Sequence, residues 1–220
     1  MNRIFQTDSY KTAAKDYLLF LDKGYPQKSI LKLVGDRHRL NRQQRQIMYR
    51  GISPSAIASE RKRKRGVYAS GDLILVDTYN VLFTVSNYFL GRPLFISNDG
   101  FLRDAGEMRG RIRNKEAFSR AERLMIDILK TWKDVEFRLF LDEPVPFSGR
   151  LSIKLSKIMA EEDILGEAST AYSADYMLKS EKSTAICTSD SAIIDAYPGK
   201  IIDLSFIILD TFFQPEFPEL

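Results

Sequence analysis

Three apolar segments of strand character each lead directly to an aspartate. Residues 73–76 precede Asp77, residues 137–141 precede Asp142, and residues 184–189 precede Asp190. Parallel strands would bring these acids to one edge of a sheet, which is where open α/β sheets do chemistry. Carboxylates suit hard divalent cations, and such cations stabilise the attacking and departing oxygens in phosphodiester hydrolysis. The pattern therefore predicts a site for Mg²⁺ or Mn²⁺.

A fourth acid, Asp175, stands where a helix should begin, shortly before the last of these segments. A cluster of four acids repels itself, and a bound cation would relieve that repulsion. We take Asp77, Asp142, Asp175 and Asp190 as metal-binding and catalytic candidates. Supporting candidates are Asn80, Asp104, Ser189 and Asp195. The alternative is that the acids only cap helices, as Asx residues often do.

Single copies of two residue types exclude several classes of site. Cys187 is the only cysteine, so an intramolecular disulfide and a cysteine-rich zinc site are impossible. His38 is the only histidine, which excludes nucleases that use paired histidines. The chain also contains neither a G-x-x-x-x-G-K-[ST] loop nor a G-x-G-x-x-G segment, which argues against nucleoside triphosphatases and dinucleotide enzymes.

Charge is distributed unevenly along the 220 residues. Residues 1–66 carry 16 Lys/Arg and 5 Asp/Glu, whereas the remainder is acidic overall, and the net charge is +4. The most basic stretch is Arg61-Lys62-Arg63-Lys64-Arg65. Such a run is typical of binding to a phosphate backbone, with release of counterions, although a solvated segment boundary has the same composition.

Hydrophobic periodicity predicts a mixed architecture. Helical spacing dominates residues 1–66, which we interpret as a small all-α basic segment, and strands alternate with helices over 67–220. Strands are expected at 73–77, 94–97, 136–141, 184–188 and 200–204, and helices at 80–90, 114–132, 150–160 and 175–180. This pattern indicates an α/β fold with a mainly parallel central sheet of about five strands. A leader peptide and a run of about 18 uncharged apolar residues are missing, so we expect a cytoplasmic protein without membrane partners.

Several of these residues resemble a known group of nucleases. Residues 76–81, Val-Asp-Thr-Tyr-Asn-Val, are similar to the first-strand "DGYN" signature of the NYN branch of PIN-like nucleases, with Thr78 in place of glycine. Phe140-Leu141-Asp142 resembles the second acid-terminated strand of that branch, and residues 188–195 resemble its late "T-x-D" signature. The whole chain also resembles an uncharacterised prokaryotic family that joins a basic helical segment to a PIN-like body.

The resemblance implies a three-layer PIN-like domain and a Mg²⁺- or Mn²⁺-dependent nuclease that acts on RNA and leaves a 5′ phosphate. An alternative from another class is a PIN-like module that binds RNA or protein without cleaving it. DNA binding by the front helices, as a helix-turn-helix, is a third hypothesis. Self-association into a homo-oligomer is compatible with the sequence.

Overall fold

The computed structural model describes residues 7–106, 112 and 114–220. The helices are α1 (Asp8–Asp22), α2 (Gln27–Arg37), α3 (Arg42–Gly51), α4 (Ser55–Lys64), α5 (Thr78–Phe89), α6 (Lys115–Leu129), α7 (Ser148–Glu161), α8 (Ala174–Ser180), α9 (Ser191–Ala196) and α10 (Leu204–Phe213). The strands are β1 (Leu73–Asp77), β2 (Leu94–Ile96), β3 (Leu102–Asp104), β4 (Glu136–Asp142), β5 (Gly166–Ala171), β6 (Ala185–Cys187) and β7 (Lys200–Ile202).

These elements form two compact units, and the first contains the N-terminal helices. Its described residues are 7–63, 91–106 and 215–220. The side chain of Thr7 caps α1, and Asn41 and Gln44 form a reciprocal capping box at the start of α3. The apolar faces of these helices enclose a core that includes Tyr10, Tyr17, Ile47, Met48 and Phe95. This confirms the predicted all-helical N-terminal segment.

The first unit also contains a small sheet. Strands β2 and β3 pair in antiparallel fashion around a turn that contains Gly100, which has a φ of 82°. The C-terminal residues add to this sheet, because Ile96 N donates to Pro218 O at 2.9 Å and Leu220 N donates to Ile96 O at 3.0 Å. Residues 91–106 and 215–220 therefore belong to the first unit, whereas the predicted division placed everything after residue 66 in the second.

The second unit is built on a five-stranded sheet with strand order β5-β4-β1-β6-β7. Every neighbouring pair in this sheet is parallel. Central strand β1 is buried from Ile74 to Asp77, as expected for a strand covered by helices on both faces. The predicted α/β class with a mainly parallel five-stranded sheet is thus confirmed.

The predicted strands need two corrections, because one of them lies in the smaller sheet and one strand of the main sheet was not predicted. Residues 94–97 were expected in the main sheet, but within the described chain β2 pairs with β3 and, through Ile96, with the C-terminal residues. The fifth strand of the main sheet is instead β5, whose sequence Gly-Glu-Ala-Ser-Thr-Ala has no large apolar side chain. Strand β5 lies at the edge of the sheet, is partly exposed, and is held by its hydrogen bonds to β4. Because an exposed edge strand needs few apolar residues, its sequence gives little hydrophobic signal.

Among the described residues, none of the helices combines the length and apolar character that crossing a membrane requires.

Candidate active site

The predicted acids follow neighbouring strands at the carboxyl edge of the main sheet. Strand β1 lies between β4 and β6, and it ends at Asp77. Strand β4 ends at Asp142, and β6 ends three residues before Asp190. The chain passes from β1 to β4 on one side and later returns to β6 on the other, so β1 marks a topological switch point. Ligands of open α/β sheets bind outside the carboxyl ends of strands at such points.

Asp77 is the most constrained of these acids. It is 6% exposed, and its Oδ2 accepts a hydrogen bond of 2.8 Å from the Thr188 hydroxyl. Its Oδ1 accepts a longer bond of 3.4 Å from the backbone N–H of Asn80, as the N-cap of α5. Burial, followed by repulsion from Asp175 and Asp190, raises the pKa of Asp77 to about 7, although the Thr188 bond acts in the opposite direction. Asp77 therefore changes charge near neutral pH.

Thr188 and Asn80 fix the loop after β6 against the end of β1. The Thr188 hydroxyl also accepts a bond of 3.1 Å from Asp190 N. Asn80 Oδ1 accepts bonds from both the backbone N–H and the hydroxyl of Ser189, each of 3.0 Å. The Asn80 side chain, on the first turn of α5, thereby holds the segment that carries Asp190. Asn80 and Ser189 thus position the predicted site residues.

The remaining three acids lie around this buried centre. Asp142 Oδ1 accepts a bond of 2.9 Å from Ala174 N, which joins the end of β4 to the start of α8. Asp190 caps α9 by accepting a bond of 2.7 Å from Ala192 N. Asp175 is exposed as a residue, yet desolvation of its carboxyl group, then repulsion from Asp190 and Asp142, raises its pKa, while Lys179 partly offsets this effect. The four acids therefore interact electrostatically.

The four acids have the ligand chemistry of a hard divalent cation, but the described side chains do not form a closed cage for one. All four groups are carboxylates, which are hard oxygen donors, and two of them have pKa values raised partly by their acidic neighbours. Within the described part of the chain, however, no three acid, cysteine or histidine side chains converge as a metal site. Mg²⁺ commonly retains several waters and is held by one or two carboxylates, and this coordination agrees with both observations.

Two of the supporting candidates are not brought into the cluster. Asp104 belongs to the first unit, where its carboxylate accepts from Gly106 N and lies 3.6 Å from the guanidinium of Arg50. Asp195 is exposed on α9, and its backbone carbonyl accepts a bond of 3.3 Å from Lys64 Nζ. Asp104 therefore has a structural role in β3, and Asp195 lies at the periphery.

The basic run also needs a correction, because Arg61 is buried. Its guanidinium donates to Asp99 at 3.1 Å and to the Ser53 hydroxyl at 2.7 Å, inside the first unit. Asp99 is fully buried and is also paired with Arg103 at 2.8 Å. Arg61 neutralises a buried acid and is not presented to a phosphate. Exposed cations of the run are Lys62, Arg63 and Arg65, whereas Lys64 is half-buried and donates to Ile194 O at 2.6 Å.

The structure adds two residues that the sequence did not single out as site residues. Thr188 connects Asp77 to the backbone of Asp190. The sequence signal that could have identified Thr188 as a site residue was its place in a T-x-D segment. Glu122 is a buried acid on α6 that forms an ion pair with Lys154 of α7. Burial, and then repulsion from Asp142 and Glu122, raises the pKa of Tyr79 to about 12. Glu122 occupies a helix face that is otherwise apolar, and sequence spacing alone would assign that position to the core.

The fold and this edge define the second unit as an α/β domain with an electrostatically coupled acidic cluster at the switch point of a parallel sheet. Residues 68–205 match the model of a domain of unknown function, DUF5616, and the chain belongs to this family. Residues 9–64 match a second model, a protein of unknown function, DUF434.

One relative is similar over nearly the whole length of both chains. It is the uncharacterized protein MJ0935 of Methanocaldococcus jannaschii, which is 28% identical over 199 residues. The match covers 89% of this chain and 94% of the relative. No solved structure matches the chain significantly.

Proposed function

We propose that this protein is a divalent-metal-dependent nuclease with a PIN-like catalytic domain and that its substrate is RNA. The observation that carries the proposal is Asp77, a buried carboxylate at the end of β1 whose pKa is raised to about 7 by burial and by two further acids, Asp175 on α8 and Asp190 after β6. Structural acids are normally neutralised, as Asp99 is by Arg103 and Arg61. A cluster of unneutralised acids at a switch point is typical of a functional site. A cytoplasmic location, where RNA is available, forms part of the proposal.

The four acids have different accessibility, and we assign their roles accordingly. Asp77 is buried and held by Thr188, so it anchors the site, whereas Asp175 and Asp190 are exposed and can be reached by substrate. Together with Asp142 they would hold Mg²⁺ or Mn²⁺ directly or through its water ligands. The ion would supply positive charge that stabilises the attacking and leaving oxygens of a phosphodiester. Asn80 positions the loop that carries Asp190.

Exposed cations supply the proposed contacts to the RNA backbone. Lys62, Arg63 and Arg65 are exposed, and each phosphate contact would make binding weaker as salt concentration rises. Arg61 is excluded from this role by its ion pair with Asp99. Replacement of Lys62 and Arg63 by glutamine should reduce both RNA affinity and the slope of its salt dependence, and an unchanged slope would exclude these contacts.

The direct test is cleavage of a labelled single-stranded RNA by the purified full-length chain. We expect cleavage with MnCl₂ or MgCl₂ and none with EDTA, and we expect Asp77→Asn and Asp190→Asn to abolish it. Asp127→Asn is a matched control, because Asp127 is an exposed acid on α6 outside the cluster. Activity that persists in both cluster variants would refute the proposed site.

A second candidate is a module that binds RNA or protein without cleaving it. It is favoured by the fact that Asp77, Asp142 and Asp190 each accept a hydrogen bond from a backbone N–H, so each has a structural role already. RNA binding that is equal in MnCl₂ and EDTA, together with no cleavage under either condition, would select this candidate.

A further inference from the structure

A cavity of about 680 Å³ opens in the second unit among α5, α6 and α7. Its volume lies within the range of about 300–1,000 Å³ that is usual for small-molecule sites. One wall begins with Tyr79 on the first turn of α5, two residues after Asp77. The cavity therefore starts on the same helical turn that carries Asp77 and Asn80, although none of the four cluster acids lines it.

The Tyr79 hydroxyl is the first indication that the cavity takes a ligand. Tyr79 is 4% exposed and lines the cavity, and among the described residues its hydroxyl has no hydrogen-bond partner. Its ring is held by Phe83, with centroids 5.4 Å apart, and by Phe118 at 6.4 Å. A buried hydroxyl without a partner carries a desolvation penalty that a ligand acceptor would remove. The Tyr79 ring is therefore a rigid part of the cavity wall, and its hydroxyl is an unused donor that is closed to solvent in the ligand-free protein.

Phe147 is the second indication, because it lies at the cavity wall in a strained conformation. Its φ of 68° and ψ of 14° place a bulky aromatic residue in the left-handed region, which is an outlier for this residue type. Its side chain is 71% exposed, so burial of the ring does not offset the strain. Strain of this kind concentrates at ligand sites. The exposed ring is available to stack on a flat group.

The charges around the cavity favour an anion. Lys154 is paired with Glu122, and both line the wall, so this pair is neutral overall. Lys115 and Arg150 also line the cavity, and within the described chain neither has a carboxylate at ion-pair distance. Arg150 lies 5.5 Å from the centre of the Phe147 ring, so a cation and an aromatic face stand side by side. That arrangement suits a ligand with a flat aromatic part and an attached phosphate.

We propose that this cavity binds one nucleotide, with its base against Tyr79 and Phe147 and its phosphate at Arg150 and Lys115. Because the Tyr79 hydroxyl is closed to solvent in the ligand-free protein, a ring nitrogen or carbonyl of the base would accept its hydrogen bond after a small displacement of the cavity wall. The inference rests on the proposed function in taking RNA as the source of the nucleotide. It adds a base-binding position that begins on the first turn of α5, where Asn80 contacts Ser189.

Calorimetric titration of the full-length chain with the four ribonucleoside 5′-monophosphates, in EDTA, tests the inference. We expect at least one nucleotide to bind, and ribose 5-phosphate to bind roughly tenfold more weakly or not at all, since base stacking contributes this much. Equal affinity for ribose 5-phosphate, or no nucleotide binding at millimolar concentration, would overturn it.

Two variants separate the parts of the cavity. Tyr79→Phe should weaken nucleotide binding about three- to tenfold, the worth of one hydrogen bond, while leaving the free protein as heat-stable as the native chain or more so. Arg150→Gln should weaken binding about tenfold, whereas Lys157→Gln, an exposed cation on the same helix outside the cavity, should not. A loss of heat stability in Tyr79→Phe, or equal effects of the two cation variants, would contradict the assignment.

Failure of this inference is distinguishable from failure of the proposed nuclease. Asp77→Asn should abolish cleavage yet bind the mononucleotide as tightly as the native chain in EDTA. RNA cleavage without mononucleotide binding would overturn the cavity assignment alone, and mononucleotide binding without cleavage would leave the cavity assignment supported and count against the nuclease.

Discussion

Replacement of Asp77 by asparagine should make the metal-free protein more stable, and the gain should grow with pH. The pKa of Asp77 is raised from 3.8 to about 7, so the folded protein binds a proton that the unfolded chain has already lost. Below pH 3.8 both states are protonated and the charge has no effect. Between about pH 3.8 and 7 the unfolded chain is ionised while the folded protein keeps its proton, so the free energy of unfolding falls as pH rises and levels off above pH 7. Asparagine keeps the shape of the side chain without this charge.

The size of the effect follows from the pKa values. Each unit of pKa difference corresponds to about 1.4 kcal/mol, so the full cost of the ionised Asp77 is on the order of 4 kcal/mol. Part of this loss of stability is already present at pH 5, because the unfolded chain is ionised there. The stability difference between Asp77→Asn and the native chain should therefore increase by roughly 3 kcal/mol between pH 5 and pH 8.

Urea unfolding in EDTA, followed by tryptophan fluorescence, measures this difference. Trp132 is the only tryptophan, and it packs on Phe137 in the same unit as Asp77, so its signal reports unfolding of that unit. Asp127→Asn serves as the control for loss of an exposed acid. A difference between the variant and the native chain that stays constant from pH 5 to pH 8 would refute the reasoning, because it would mean that Asp77 titrates normally.

Two further predictions concern Asp77 and its cluster, and a third concerns the buried ion pair between Arg61 and Asp99 in the first unit. MnCl₂ should raise the melting temperature of the native chain but not that of Asp77→Asn or Asp190→Asn. A ligand that binds only the folded state stabilises that state by mass action. Equal shifts of melting temperature in all three proteins would show that the ion binds elsewhere. Thr188→Val should raise the pKa of Asp77 further, because the hydrogen bond from the Thr188 hydroxyl to Asp77 is lost. In urea titrations, the loss of stability with rising pH should then extend to higher pH. An unchanged dependence of stability on pH would exclude the contact. Arg61→Gln should destabilise the first unit by about 2 kcal/mol, because Asp99 loses one charged hydrogen bond and keeps the one from Arg103. Urea unfolding followed by circular dichroism measures this loss, and a change below about 0.5 kcal/mol would contradict the pairing.

Much of the second unit could be predicted because its strands are buried. Strands β1, β4, β6 and β7 are apolar runs that helices cover, so their hydrophobicity marks them in the sequence. Strand β5 lacks that signal because it is a partly exposed edge strand of small residues. Residues 94–96 have the apolar character of a sheet strand, but only the tertiary structure places them in the first unit.

The positions of the acids followed from the strand ends, whereas their electrostatics did not. The parallel sheet requires that Asp77 and Asp142 lie at one edge, and this was predictable. The burial of Asp77 depends on the loop from Thr188 to Asp190, which is more than a hundred residues away in sequence. The pairing of Arg61 with Asp99 is likewise long-range, and a run of five cations offers no local sign that one of them is buried.

Capping alone does not account for carboxylates at these positions. Serine, threonine and asparagine cap helices about as well as aspartate, and they would not place a charge beside Asp77. Asp77 caps α5 and Asp190 caps α9, yet repulsion between them contributes to the raised pKa of Asp77. A neutral cap at Asp190 would remove that repulsion and keep the bond to Ala192 N. Both charges are therefore unfavourable for each other in the metal-free protein, and the divalent cation that we propose would offset this repulsion.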